Sequence, residues 1–280
     1  MPSRPKLGQN FLHDPQATER IVAALGDCSN RTVIEIGPGQ GALTRALAAH
    51  PARVLAIELD AELAHSLQSE FAPPRVTVVN EDVLSFDFNK AASDAGQRLL
   101  VVGNLPYYIT SPILLKLAAN HAVLDRAVLM VQREVADRVA ASPGSRDYGL
   151  LSVTTQLYGS VEKLFTLPPG AFTPPPEVHS TVFRWRFASR VRDLDVDEAQ
   201  FLAFLRKAFA QKRKTLANNL RAAGCTPDAI ADALLSAAID PRARAETLSL
   251  ETFAALWRLL QNEKAAPQNE AAHSPTQSRS

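Results

Sequence analysis

From residue 31 to residue 141 the chain alternates short apolar runs with stretches of helical periodicity, and this alternation restricts the fold more than any other feature. Residues 31–36, 53–58, 76–80, 99–103 and 127–132 are rich in Val, Ile and Leu and read as strands. Residues 42–50, 61–71, 111–121 and 133–141 carry helical spacing. Strands that are apolar along nearly their whole length must be covered on both faces, which predicts an α/β, doubly wound, Rossmann-like sheet of mainly parallel strands. Ligands in such sheets bind at the carboxyl ends of the strands.

Two further strand-like runs, 161–167 and 178–187, flank the proline-dense segment 168–176, which cannot be regular structure. Beyond residue 187 only helical patterns follow, at 197–210, 214–223, 227–237 and 250–261. The pattern predicts an α/β domain over 1–189 and a small all-helical domain over 190–261. Residues 262–280, mostly Ala, Gln, Ser, Pro and Asn, predict a disordered tail.

With 280 residues, 46% hydrophobic, the chain can bury a large core, and no apolar run approaches the roughly 18 residues of a membrane span. A cytoplasmic location and no membrane partner are expected. Cys28 and Cys225 are isolated, and the six histidines show no ligand spacing, so neither a disulfide framework nor a metal site is expected. The formal net charge is +1, yet residues 206–221 hold six basic side chains and no acidic one, a local stripe that suits phosphate backbones.

Two motifs carry chemistry. Glu35-Ile36-Gly37-Pro38-Gly39-Gln40-Gly41-Ala42 ends the first strand and opens a helix, where glycines let a ligand approach the backbone. The spacing satisfies a dinucleotide fingerprint, with Glu58 placed to bind ribose, so a nicotinamide enzyme stays open. Glu35, Glu58 and Asp82, however, put acids at three successive strand ends. S-adenosylmethionine, with its ribose, adenine amino group and ammonium and without a pyrophosphate, fits three acceptors better. The second motif, Asn104-Leu105-Pro106-Tyr107, follows an apolar strand. It offers the Asn104 side-chain oxygen and the Leu105 carbonyl as acceptors, Pro106 as a stiffener and Tyr107 as a stacking face, as methyl transfer to an exocyclic base nitrogen requires. An ordinary Asn-Pro turn is the plainer reading.

Five ordered blocks resemble the ribosomal RNA adenine N6-dimethyltransferases: Leu7-Gly8-Gln9-Asn10-Phe11-Leu12, the glycine block through Thr44, Asn104-Leu105-Pro106-Tyr107, Phe172-x-Pro174-x-Pro176-x-Val178-x-Ser180, and Gln211-Lys212-Arg213-Lys214-Thr215-Leu216. The resemblance covers roughly residues 6–260 and looks closer to the bacterial small-subunit branch than to the large-subunit resistance branch. It implies S-adenosylmethionine as methyl donor, S-adenosylhomocysteine as product and no metal. The implied substrate is 16S rRNA of the small ribosomal subunit, dimethylated at two adjacent adenosines of a hairpin loop near its 3′ end. It implies cofactor roles for Asn10, Leu12, Gly37, Glu58, Asp82 and Asn104 and stacking of Phe172 on the target opposite Tyr107, although by its residues alone Phe172 reads as a loop anchor packed in the core. Within the basic stripe Lys212, Arg213 and Lys214 are expected to contact RNA, a solvated helix face being the plainer reading, and a monomer is expected. An RNA-binding ribosome-assembly factor is the alternative from another class.

Overall fold

The computed structural model of the protein describes residues 9–265. Leu7 and Gly8 of the first block and most of the expected tail lie outside the described residues. These form two compact units, 9–142 with 147–190, and 143–146 with 191–265. The short excursion at 143–146, closed by the Gly144 N–H donating to the Glu246 carbonyl at 2.7 Å, leaves no mark in the sequence pattern.

The first unit is built on seven strands: β1 (Thr32–Ile36), β2 (Arg53–Glu58), β3 (Val76–Asn80), β4 (Leu99–Asn104), β5 (Leu124–Gln132), β6 (Gly159–Leu167) and β7 (Ser180–Phe187). Their order is 3-2-1-4-5-7-6, the first five parallel and β7 antiparallel to both β5 and β6. Successive residues Val33 and Ile34 in β1, Leu100 and Val101 in β4, and Val128 and Leu129 in β5 are all fully buried, because helices cover both faces. One face packs with α1 (Pro15–Ala24), α2 (Ala42–Ala48) and α3 (Ala61–Glu70) through Ile21, Leu47 and Leu67. The remaining helices of this unit are α4 (Phe88–Ala95), α5 (Thr110–Ala119), α6 (Arg133–Val139) and α7 (Leu150–Tyr158).

Three of these helices, α1, α4 and α7, are not among the helical stretches expected from the sequence. The α1 start is nonetheless written there: Asp14 Oδ1 accepts the Gln16 and Ala17 amides at 2.9 and 3.1 Å, and Pro15 occupies the first helical position. Asp87 caps α4 in the same way. Helix α7 is different, since Val153, Thr154 and Thr155 are β-branched and six of its nine residues are buried, so neither propensity nor periodicity reveals it.

The second unit contains α8 (Glu198–Ala208), α9 (Leu216–Ala222), α10 (Pro227–Ser236) and α11 (Leu250–Ala265), the last running beyond the expected end at 261. Its core centres on Phe201, Phe204, Phe253 and Trp257, with Phe201 edge-on to Trp257 at 6.0 Å.

Register sets the level of the strand ends. Ile36 lies opposite Ile57 and Gly103, and Glu58 opposite Asn80, so β1 to β4 finish along one edge. The order of the strands reverses between β1 and β4, which opens the crevice where such sheets bind ligands. Gly103 permits this closeness: a Cβ there would stand 2.8 Å from the Ile36 carbonyl oxygen. Gly103→Ala is therefore expected to lower unfolding free energy by about 1–3 kcal/mol, read as a shifted urea midpoint at unchanged m-value.

Candidate active site

At the end of β1 the glycine loop turns back over the sheet, tied by the Gly37 N–H donating to the Ile57 carbonyl at 2.9 Å. Gly39 adopts φ 56°, and a Cβ at that position would meet the Phe11 ring at 2.8 Å. The segment of the first sequence block thus lies directly on the loop, an approach that only glycine accommodates.

Glu58, at the end of β2, is 3% exposed. Its Oε2 accepts the Gly39 N–H at 3.0 Å and its Oε1 the Asp60 N–H at 2.9 Å. Burial raises its pKa, and these backbone donors oppose that rise. Each oxygen keeps a further lone pair for a ligand hydroxyl. Asn80 donates to the Glu58 carbonyl at 2.9 Å, fixing the neighbouring strand end. Beyond it Asp82 spends Oδ1 on the Leu84 amide at 2.9 Å, which leaves Oδ2 as an acceptor.

On the other side of β1, the Asn104 Nδ2 donates to the Asn10 carbonyl at 2.8 Å. Because that partner is an obligate acceptor, the amide orientation is determined, and Oδ1 is left as an acceptor. The Leu105 N–H is held by the Met130 carbonyl at 3.0 Å, and the Pro106 carbonyl takes Ile109 N–H and Thr110 Oγ1 at 3.2 and 2.9 Å. Among the described residues no donor engages the Leu105 carbonyl. The half-buried Tyr107 shares a 2.8 Å hydrogen bond with Ser180 at the start of β7, and burial raises its pKa.

A single cavity is lined by Asn10, Leu12, Gly37, Glu58, Asp82 and Asn104 together with Leu105, Pro106 and Tyr107. The cofactor and turn residues singled out in the sequence therefore meet in one place. Glu35, one of the three acids expected to serve as acceptors, lines the same cavity, as does Tyr108, which was given no role there from the motifs. Among the described residues no group of three His, Cys, Asp or Glu is arranged to hold a metal.

Phe172 requires a correction. The resemblance implies that its ring, in an irregular proline connector, stacks on a base, whereas the residues alone read as a loop anchor packed in the core. Instead Phe172–Thr173 forms a short antiparallel pair with Phe11–Leu12, reinforced by the His13 N–H donating to the Ala171 carbonyl at 3.0 Å. The Phe172 side chain is 2% exposed and belongs to the hydrophobic cluster of Met130, Leu167 and Val182. It backs Leu12 and offers no face to a nucleobase in this structure. The driving force is burial of a large aromatic surface, worth roughly 1.5–3 kcal/mol.

In the second unit Lys212, Arg213 and Lys214 are exposed, but they occupy the turn before α9 rather than a helix that starts at 214. Thr215 caps α9, and the buried Asn219 donates to the Ala208 and Gln211 carbonyls at 2.8 and 3.2 Å, anchoring the basic turn from beneath. Lys212 donates to the Arg146 carbonyl at 3.1 Å.

Glu35 is 1% exposed and accepts the Thr44 hydroxyl at 2.7 Å. Desolvation pushes its pKa up to about 7, with Glu58 adding to the rise and Thr44 opposing it. A carboxyl that is protonated in the folded state and ionised in the unfolded state stabilises less as pH climbs. Its contribution is complete below about 4.5 and is lost by about 7. Glu35→Gln should remove that decline, so the stability of wild type relative to the variant falls between these pH values by on the order of 3 kcal/mol, as urea denaturation at a series of pH values would read.

Residues 2–262 match the family model described as ribosomal RNA adenine dimethylase. The chain is 61% identical over 260 residues to the ribosomal RNA small subunit methyltransferase A of Acidobacterium capsulatum, covering 92% of both chains. It is 47% identical to the protein of that name from Koribacter versatilis, covering 91% of this chain and 93% of the relative. Its fold is similar to that of a dimethyladenosine transferase from Plasmodium falciparum, with TM-score 0.76, 23% identity and coverage of 91% and 98%. The 23S rRNA methyltransferase ErmE superposes with TM-score 0.68 at 26% identity, covering 90% of this chain and all of that one. A match over nearly the whole length, with the glycine loop and the Asn-Leu-Pro-Tyr turn meeting in one cavity, makes this chain a member of the ribosomal RNA adenine dimethylase family.

Proposed function

We propose that the protein transfers methyl groups from S-adenosylmethionine to N6 of two adjacent adenosines in the hairpin loop near the 3′ end of 16S rRNA, within the small ribosomal subunit. The observation that carries this reading is the Asn104 amide, whose nitrogen is committed to the Asn10 carbonyl and whose oxygen is thereby left as an acceptor in the cavity. The small-subunit assignment is supported by the relatives at 61% and 47% identity, which bear that name.

The residues present fit the methyl donor. Glu58 retains lone pairs suited to ribose hydroxyls, Asp82 Oδ2 suits an adenine amino group, and Asn10, Leu12 and Gly37 would enclose the methionine end. Bound S-adenosylmethionine would supply a methyl group on a positively charged sulfur, which needs no metal to activate it, and would leave as S-adenosylhomocysteine. A dinucleotide fits worse: the Gly39 amide that would cradle a pyrophosphate is already donated to the Glu58 carboxylate, whose charge would repel the phosphates.

The chain's own contribution is positioning. An adenine amino group is a weak nucleophile because its lone pair is delocalised into the ring. Asn104 Oδ1 and the Leu105 carbonyl each accept one N6 hydrogen and turn the lone pair toward the methyl group, while Pro106 and the bonds to its carbonyl keep the turn from relaxing. The second methylation presents one hydrogen fewer, and two independent acceptors allow one to go unused. Extruding the base costs a few kcal/mol, and stacking on Tyr107, at roughly 1–3 kcal/mol, offsets it. Lys212, Arg213 and Lys214 supply phosphate contacts. A monomer acting in the cytoplasm, where subunits are assembled, is part of the proposal.

Labelled S-adenosylmethionine, incubated with the protein and ribosomal subunits lacking the modification, should yield N6,N6-dimethyladenosine in the small subunit. Label in the large subunit would move the chain to that substrate, and no label would favour an assembly factor. Asn104→Ala should abolish turnover while S-adenosylmethionine affinity, measured by calorimetry, stays within about tenfold. Replacing Lys212, Arg213 and Lys214 with Ala should reduce the slope of log affinity against log salt by about 2.

A further inference from the structure

The cavity contains an aromatic ring for which methyl transfer to the target base has no use. Tyr108 is 59% exposed and lines the cavity beside Tyr107 and Ile109. Among the described residues it is the only Phe, Tyr or Trp whose side chain stands open to solvent. Exposing such a ring forfeits the stabilisation that burial would bring, and nothing in the packing of the turn calls for a tyrosine here. Its backbone is nonetheless fixed: Tyr108 sits inside the turn closed by the Ile109 N–H on the Pro106 carbonyl at 3.2 Å, with Thr110 Oγ1 on the same oxygen. A tyrosine on a rigid turn has only two side-chain torsions to settle, so it loses little entropy when it binds a partner.

The other two candidate platforms are committed elsewhere. Tyr107 is held inward by Ser180 at 2.8 Å, beside the acceptors that grip the target amine, and Phe172 is buried at 2% exposure. Extruding one adenosine strips its neighbour of a stacking partner and leaves one face of that neighbour bare at the mouth of the cavity.

We propose that Tyr108 stacks on the nucleotide next to the one being methylated, taking the place that the target base vacates when it is extruded. The proposal rests on the reading of the cavity as an adenosine methyltransferase site and names a subsite for a second base. Such a platform favours a substrate with a stackable base beside the target, as two adjacent adenosines provide.

The test uses the full-length protein and a hairpin RNA carrying 2-aminopurine beside the target adenosine. Stacking on an aromatic ring quenches this base, and removal of its neighbour brightens it. The complex with Tyr108→Ala should be at least twofold brighter than that with wild type, and Tyr108→Phe should restore quenching, since the ring and not the hydroxyl does the stacking. KM for RNA should rise about tenfold in Tyr108→Ala, by more than kcat falls, as removal of a stack worth roughly 1–3 kcal/mol requires. Affinity for S-adenosylmethionine reports whether the turn remains intact. Equal emission and equal KM for wild type and Tyr108→Ala, while wild type methylates the RNA, would overturn the Tyr108 subsite alone. Failure of the wild type to bind or methylate the hairpin would overturn both the subsite and the function on which it rests.

Discussion

The parallel register of β1, β2, β3 and β4 is the constraint from which the site follows. With Ile36 opposite Ile57 and Gly103, and Glu58 opposite Asn80, four chain segments leave the sheet at one level. Only then can a loop after β1, a carboxylate ending β2, an acid beyond β3 and an amide ending β4 face a single ligand. A slip of one residue in any pair would send its side chain to the opposite face of the sheet. The absence of a side chain at Gly103 allows the Ile36 backbone and the Asn104 turn to approach as closely as they do.

The polar groups around this edge are cross-linked by hydrogen bonds in which backbone groups predominate. Glu58 holds the Gly39 and Asp60 amides, Asn80 holds the Glu58 carbonyl, and Asn104 holds Asn10. Each bond fixes one atom of a side chain and leaves another as an acceptor. The result is a pocket of preset acceptors with no cation among the described residues that line it, suited to a ligand that brings its own positive charge. Burial raises the pKa of Glu35, which weakens the tendency of this already acidic corner to gather a further negative charge.

The alternation of apolar runs and helical patterns made the doubly wound sheet legible, because burial on both faces imposes continuous hydrophobicity whatever the partner strands are. The Asn-Leu-Pro-Tyr turn and the glycine loop were legible for a related reason: close backbone approach and a rigid turn admit few residue types. Helix α7 was not, since a buried, β-branched helix has no polar stripe to set its period. Nor was the insertion of 143–146 into the second unit, which is tied by the long-range bonds of Gly144 to Glu246 and of Lys212 to Arg146.

The sequence by itself determined the family, the sheet and the identity of the groups that accept hydrogen bonds, because these depend on local patterning and on which atoms each residue carries. Tertiary structure alone decided which of those atoms remain available. It tied Asn104 through its nitrogen rather than its oxygen and drew Phe172 into the core by pairing it with Leu12. It also left Tyr108 exposed where Tyr107 is pinned. Adjacent tyrosines in a motif are chemically identical, and only the neighbours supplied by distant strands distinguish an anchored ring from a free one.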